Sequence, residues 1–130
     1  MELKDFERWF PIQKTAKMHY IENISYDDGI KIKLTEAKGY TAANICKTFV
    51  VHFKSCVSYF EVDERYADGF WIDDPTKAWT FYKSKQSPYI DYLKQNTLFA
   101  ATVANPVHYV FVTTESIFHI ISTVEPLFLL

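Results

Sequence analysis

The stretch ISYDDGIKIKL, residues 24–34, decides how this chain folds. At its centre Asp28-Gly29 suits the positive-φ positions of a type I′ turn, because Gly adopts positive φ without a Cβ penalty. After the turn, apolar residues alternate with lysines over residues 30–34. A period of two is typical of a strand with one buried face. The pattern therefore predicts a β-hairpin whose first strand ends at Tyr26.

The length and composition predict one self-folding domain. The chain has 130 residues, of which 48% are hydrophobic and 18% aromatic. Chains of this size build one core without needing disulfides or a metal, and disordered chains are poorer in aromatics. No internal repeat or linker divides the sequence, so we expect residues 1–130 to form a single domain.

Charge and terminal segments exclude several classes of partner. Sixteen acidic residues against fourteen basic ones give a net charge of −2, with no Lys/Arg block that would bind phosphates, so nucleic acid is not expected as a partner. Residues 1–8 lack the apolar core of a secretory signal. Residues 116–130 are apolar but interrupted, and shorter than the ~20 residues of a membrane span. We expect a cytoplasmic protein that does not associate with membranes.

Two helices are predicted outside the hairpin. Residues 3–10 carry apolar side chains at i, i+3 and i+7, the pattern of a short amphipathic helix that Pro11 would end. The second helix begins at Ser87-Pro88, where Ser can cap the free amides and Pro fits the first helical position. This helix is expected to continue to Asn105.

The remaining apolar stretches are predicted to be strands. Residues 46–62 form one long strand, or two strands joined at residues 54–55, and residues 77–83 form another. Residues 107–112 and 117–121 are β-branched and aromatic runs that form a second hairpin. Because hairpins join antiparallel neighbours, the expected fold class is α+β, a single twisted antiparallel sheet with two helices packed on it.

Sequence motifs for catalysis and cofactor binding are absent. The three glycines are isolated, there is no G-x-S-x-G, and the four histidines lie in different segments without metal-ligand spacing. In the second hairpin, a turn centred on residues 114–115 would place His119 opposite Val110, leaving His108 at a diagonal of roughly 7–8 Å. We therefore expect no catalytic residues, no metal and no cofactor. An enzyme is the less favoured interpretation.

Residues 61–74, EVDERYADGFWIDD, are the most distinctive segment for function. They carry six acidic side chains and one basic one, with three aromatic residues interleaved. A concentrated negative field steers a basic partner, and exposed aromatics supply interface hot spots. The alternative interpretation is a solvated loop whose aromatics fold back onto the core. The predicted partner-binding residues are Asp63, Glu64, Tyr66, Asp68, Phe70, Trp71, Asp73 and Asp74.

These observations favour a non-enzymatic module that binds another protein, with a basic partner favoured by the charge. An immunity-type or antitoxin-type inhibitor, or a chaperone, would present such an acidic aromatic loop. The alternative is a small-ligand-binding protein or small enzyme with a pocket between sheet and helices, where Tyr and His would supply polar groups. Homo-oligomerisation through an exposed sheet edge is compatible with either function.

Overall fold

The computed structural model describes residues 2–41, 45–67, 69–70 and 77–130. Within these residues the chain forms nine strands and two short α-helices, which confirms the predicted α+β class. The strands are antiparallel, as expected, but they form two sheets instead of one.

The two sheets contain five and four strands. The five-stranded sheet has the order β1-β6-β7-β8-β5, and the four-stranded sheet has the order β2-β3-β4-β9. The strands are β1 (Glu7–Arg8), β2 (His19–Ser25), β3 (Ile30–Glu36), β4 (Thr48–Phe53), β5 (Ser58–Asp63), β6 (Phe81–Ser84), β7 (Val107–Val112), β8 (Ser116–Ser122) and β9 (Leu127–Leu129). The helices are α1 (Pro88–Asn96) and α2 (Phe99–Thr102).

The hairpin predicted at Asp28-Gly29 is confirmed. Strands β2 and β3 pair antiparallel with Ser25 opposite Lys31. Asp28 and Gly29 both have positive φ, 64° and 82°, as the turn requires. A Cβ on Gly29 would collide with the carbonyl oxygen of Phe53, so the turn lies close against the end of β4. Only glycine satisfies both constraints at this position.

The second hairpin is also confirmed, whereas the stretch 46–62 divides into two strands. Strands β7 and β8 pair with Val110 opposite His119, the register expected from the sequence. The break after Phe53 separates β4 from β5, which belong to different sheets. Because the chain changes sheet at the break, the alternation of buried residues does not continue. Phe53 is fully buried, but Tyr59 is 49% exposed.

The main core lies between the two sheets and is rich in aromatic side chains. Close packing of such large apolar side chains is the main stabilising contribution available to a domain of this size. The four-stranded sheet contributes Ile30, Ile32, Leu34, Phe49, Val51 and Phe53, and the five-stranded sheet contributes Phe81, Tyr109, Phe111, Phe118 and Ile120.

A third layer covers the other face of the five-stranded sheet. There Ile90 of α1 and Phe99 of α2 pack on Ile121 of β8. Phe6 and Phe70 belong to a second cluster on the same strands, with Val110, Val112 and Ile117. None of the helices in the described part of the chain is long and apolar enough to cross a membrane.

Both predicted helices are shorter than expected. The N-terminal one is a single 3-10 turn, Leu3–Asp5, after which β1 pairs with β6. Pairing with β6 prevails over the helical pattern, so Phe6 is buried while Phe10 is 68% exposed. Helix α1 begins as predicted, with the Ser87 hydroxyl accepting a hydrogen bond from the Ile90 amide, but it ends at Asn96.

Candidate functional site

The acidic segment begins on an edge strand and continues into a 3-10 turn, Glu64–Tyr66. Along β5, burial alternates so that Glu61 and Asp63 are exposed. Glu64 is also exposed, and Tyr66 exposes 73% of its surface. The predicted partner-binding residues Asp63, Glu64 and Tyr66 are thus accessible to solvent.

Phe70 lies in the core instead of on the surface. Only 6% of it is exposed, and its ring contacts Phe6 and His119 with centroid distances of 5.9 and 5.3 Å. Its side chain therefore anchors the segment to the five-stranded sheet, as the alternative interpretation expected for the aromatics. The other predicted residues, Asp68, Trp71, Asp73 and Asp74, lie outside the described residues.

A cleft of about 540 Å³ separates the edge strand β2 from the edge strand β5. We call it the acidic cleft. The turn between β7 and β8 closes one side of it, through Thr113 and Ser116. Its charged lining residues all carry carboxylates: Glu22, Glu61, Asp63 and Glu115.

Two of these carboxylates are already paired with basic side chains. Arg65 donates to Asp63 through Nε at 3.0 Å and through a terminal nitrogen at 3.1 Å, and these hydrogen bonds hold the pKa of Asp63 below its ordinary value. Lys33 Nζ lies 3.4 Å from a carboxylate oxygen of Glu22.

The other two carboxylates leave negative charge in the acidic cleft. Glu61 accepts a hydrogen bond of 2.6 Å from the Ser116 hydroxyl, which orients its carboxylate without neutralising it. Neither Glu61 nor Glu115 forms an ion pair with another residue that the structure describes. The excess of carboxylates makes the cleft attractive to cations.

Exposed aromatic rings lie beside the acidic cleft. Tyr26, just after β2, and Tyr59 of β5 are in contact, with ring centroids 5.4 Å apart. They are 57% and 49% exposed. Near the other end of β5, the Arg65 guanidinium lies 5.5 Å from the centre of the Tyr66 ring. Tyrosine combines apolar area with a hydroxyl and is enriched at protein interfaces.

Away from the acidic cleft, two buried histidines form a hydrogen-bonded chain with a serine. Nδ1 of His108 lies 2.6 Å from Oγ of Ser87, and its Nε2 lies 2.8 Å from Nδ1 of His119. The sequence register had predicted the diagonal placement of the two histidines but not this contact. The rings lean towards each other across the diagonal, with centroids 5.1 Å apart.

The hydrogen-bond pattern assigns the proton positions in this chain. Ser87 Oγ accepts from the Ile90 amide, so its own proton is free to be donated to Nδ1 of His108. His108 then carries its proton on Nε2 and donates it to His119, which must be protonated on its own Nε2. If His108 instead carried its proton on Nδ1 and donated it to Ser87, the Ser87 proton would have no acceptor among the described residues. Burial lowers the pKa of His108 to about 3 and that of His119 to about 4, so both rings are neutral at pH 7.

His119 also lines a second cleft, of about 310 Å³, on the outer face of the five-stranded sheet. Glu2 and Tyr66 supply further polar groups there, and Phe60 stacks on the His119 ring with a centroid distance of 4.3 Å. We call it the His119 cleft. It places a neutral imidazole beside apolar surface, an arrangement that suits an uncharged polar ligand.

His19 is the third buried histidine that remains neutral. Its Nδ1 lies 2.9 Å from the Thr80 hydroxyl and its Nε2 lies 2.8 Å from the Thr15 hydroxyl. Burial lowers its pKa to about 4, although the nearby carboxylate of Glu36 opposes the shift. Both ring nitrogens are satisfied by hydroxyl groups, which indicates a role in joining three segments of the chain.

Metal-binding and disulfide geometry is not found in the described part of the chain. No group of three or more His, Cys, Asp or Glu side chains there is arranged to hold a metal ion. Cys46 and Cys56 are free thiols. Burial raises the pKa of Cys56, which disfavours the reactive thiolate.

Comparisons with known proteins identify no relative. The protein-family models, the curated proteins and the solved structures that were searched give no significant match to this chain. The acidic cleft and the His119 cleft are therefore the features of the chain that indicate a function.

Proposed function

We propose that this chain is a non-enzymatic protein-binding module that uses its acidic cleft and the adjoining tyrosines to bind a basic partner. The observation that carries the proposal is the convergence of four carboxylates on one cleft, two of them without a basic partner in the described chain. An inhibitor of a basic enzyme, of the immunity or antitoxin type, or a chaperone for a basic protein would need such a surface. We further propose that it acts in the cytoplasm.

Neighbouring features support this proposal. Tyr59 and Tyr66, at opposite ends of the β5 region, are exposed beside the carboxylates. Negative charge raises the association rate with a basic partner, while aromatic area slows dissociation. Phe70 is excluded from the contact surface by its burial, but it fixes the backbone that carries Glu64 and Tyr66.

Charge neutralisation tests the proposal without disturbing the fold. The test variant is Glu61→Gln, Glu64→Gln and Glu115→Gln, and the amide oxygen introduced by Glu61→Gln can still accept from the Ser116 hydroxyl. Asp63 is kept because both of its carboxylate oxygens accept hydrogen bonds from Arg65. The matched control removes three carboxylates elsewhere on the surface: Glu7→Gln, Asp91→Asn and Glu125→Gln. Exposed substitutions of this kind each change stability by no more than about 0.5 kcal/mol, so all three proteins should melt at similar temperatures.

The readout is binding to a partner captured from the source cell by the parent chain and then purified. We expect the control to bind like the parent and the test variant to bind at least about tenfold more weakly, mainly through a slower association rate. The difference should shrink as salt rises, because charges are screened over about 8 Å at physiological ionic strength. Equal affinity of test variant and parent would refute the proposal.

The His119 cleft favours a second candidate function, the binding of a small uncharged ligand. The chain from Ser87 through His108 fixes the imidazole of His119 with its proton on Nε2, where it can serve as a donor. A His119→Gln variant that loses binding of a ligand extracted with the purified protein would support this candidate. Retention of the ligand by that variant would exclude the His119 cleft.

A further inference from the structure

Strand β5 has an edge to which another strand can be added. It pairs with β8 on one side and is the last strand of its sheet among the described residues. The Glu64 amide donates to the carbonyl of Glu115, which fixes the alternation of the ladder. In an antiparallel pair, the backbone groups of successive residues point alternately towards the partner strand and away from it. The amides and carbonyls of the even-numbered residues of β5 therefore point towards β8. The amides and carbonyls of Tyr59, Glu61 and Asp63 therefore point away from β8.

The acidic cleft adjoins this strand, and no other strand in the described part of the chain pairs with its outer edge. Strand β2, on the far side of the cleft, is likewise the last strand of its own sheet. Glu61 and Asp63 line the cleft from one side and Ile21 to Ile24 line it from the other. The six residues of β5 span about 20 Å, which matches an extended segment of about six residues.

The charge of the acidic cleft selects the kind of segment that fits. Residues directly opposite in a strand pair have Cβ atoms about 5 Å apart, so a residue added across from Glu61 or Asp63 meets a carboxylate. Lys or Arg at alternate positions would complement both. A second copy of this chain pairing through the same edge would place carboxylates against carboxylates, which is unfavourable. The occupant favoured by the charge is a basic extended segment of another protein.

We propose that the basic partner binds by adding an extended segment, with Lys or Arg at alternate positions, as a strand along the outer edge of β5. The inference rests on the proposed function and specifies how that partner is held. Main-chain hydrogen bonds to Tyr59, Glu61 and Asp63 hold the segment, and the carboxylates of the acidic cleft select its side chains.

Two peptides separate strand addition from charge attraction. The first is a capped eight-residue peptide of alternating Lys and Val, and the second is the same peptide N-methylated on the backbone nitrogen of every Lys. In a segment added antiparallel to β5, the Lys residues opposite Glu61 and Asp63 are the ones whose amides point towards β5. Both peptides carry the same charge, but methylation removes the amides of the edge that would pair with β5. We expect the first to bind the full chain at least about tenfold more tightly. When the unmethylated peptide binds, hydrogen exchange should become slower than in the free chain at the amides of Tyr59, Glu61 and Asp63. The exchange rate of the Glu64 amide, which already bonds to Glu115, should stay unchanged.

A matched pair of protein variants tests the same edge from the other side. Glu61→Gln removes one charge and keeps the outward amide, whereas Glu61→Pro also removes the amide, and proline is tolerated on an edge strand. We expect Glu61→Pro to bind the unmethylated peptide several-fold more weakly than Glu61→Gln. Amide spectra of both variants show whether the fold is retained, and if Glu61→Pro does not fold, the peptide pair alone decides.

Each other outcome overturns the inference in a recognisable way. Equal binding of the two peptides refutes strand addition while leaving an acidic surface for a basic partner. Binding of neither peptide contradicts both proposals. Dimerisation of the parent that rises with concentration and is lost in Glu61→Pro assigns the edge to a second copy of the chain.

Discussion

Acidification should unfold this chain well above the pH at which its carboxylates titrate, because three buried histidines stay neutral in the fold. His19 and His119 have folded pKa values of about 4, and His108 of about 3, against an ordinary value of 6.5. A folded pKa below the unfolded one means that the unfolded state binds more protons. The contribution to stability is therefore complete above pH 6.5 and is lost as the pH falls towards the folded values.

The size of the effect follows from the pKa differences. At about pH 5, a shift from 6.5 to about 4 corresponds to a loss of about 2 kcal/mol for His19, relative to neutral pH. His108 and His119 together add about 4 kcal/mol more by the same relation. A domain of this kind has about 5–15 kcal/mol of stability in total, so the loss is a large fraction of it.

Urea unfolding followed by fluorescence at about pH 7.5 and about pH 5 measures this loss. We expect the free energy of unfolding to fall by several kcal/mol between the two. At the higher pH, His19→Gln should be less stable than the parent, since contacts with Thr15 and Thr80 are altered. Its loss of stability between the two pH values, however, should be about 2 kcal/mol smaller than that of the parent. Asp63 does not interfere, because its lowered pKa makes its contribution fade only below about 3.8.

Equal free energies of unfolding at the two pH values would refute this account of the histidines. So would a His19→Gln variant that loses as much stability on acidification as the parent, since that would assign the effect to other groups.

Two substitutions test the local geometry. Gly29→Ala should lower the free energy of unfolding by several kcal/mol, because φ is positive there and the added Cβ meets the Phe53 carbonyl. Gly39→Ala should cost less, since φ is positive but the space around the added Cβ is open, and a comparison of the two melting temperatures tests this difference. Ser87→Ala should lower the free energy of unfolding by about 2–3 kcal/mol, since one hydroxyl both caps α1 and donates to His108. Urea unfolding measures this loss, with the exposed Thr102→Ala as the control, and a loss below about 0.5 kcal/mol would contradict this role of Ser87.

The local elements that the sequence predicted correctly are those with short-range causes. Asp28-Gly29 demands positive φ, and Ser87-Pro88 combines a cap with a preset φ, so neither depends on distant residues. The β7–β8 register followed in the same way from a short turn between two apolar runs.

Long-range pairing explains the elements that were predicted wrongly. The apolar spacing of residues 3–10 fits a helix, but the pairing of β1 with β6, which sets Glu7 opposite Lys83, determines the conformation there. The change of sheet after Phe53 likewise depends on what each half of the stretch packs against. A period of two cannot reveal how many sheets the strands form.

The candidate site was visible in the sequence only in part. The acidic segment was recognisable, but Glu22 and Glu115 join the acidic cleft from distant strands and turns. Phe70 could not be separated from Tyr66 by residue type, since the burial of each depends on its position relative to the five-stranded sheet. The diagonal placement of His108 and His119 was predicted from the register, but the hydrogen bond between them was not, because it depends on the orientation of both side chains.

The most direct test of the acidic cleft as a binding surface is a nuclear magnetic resonance titration of the isotope-labelled chain with the Lys-Val peptide. Backbone amide shifts should change at Glu22, Glu61, Asp63 and Glu115, and these changes should weaken as salt is raised. Shifts concentrated instead around Glu2, Ala67 and His119, which line the His119 cleft, or no saturable change at low salt, would contradict the assignment of function to the acidic cleft.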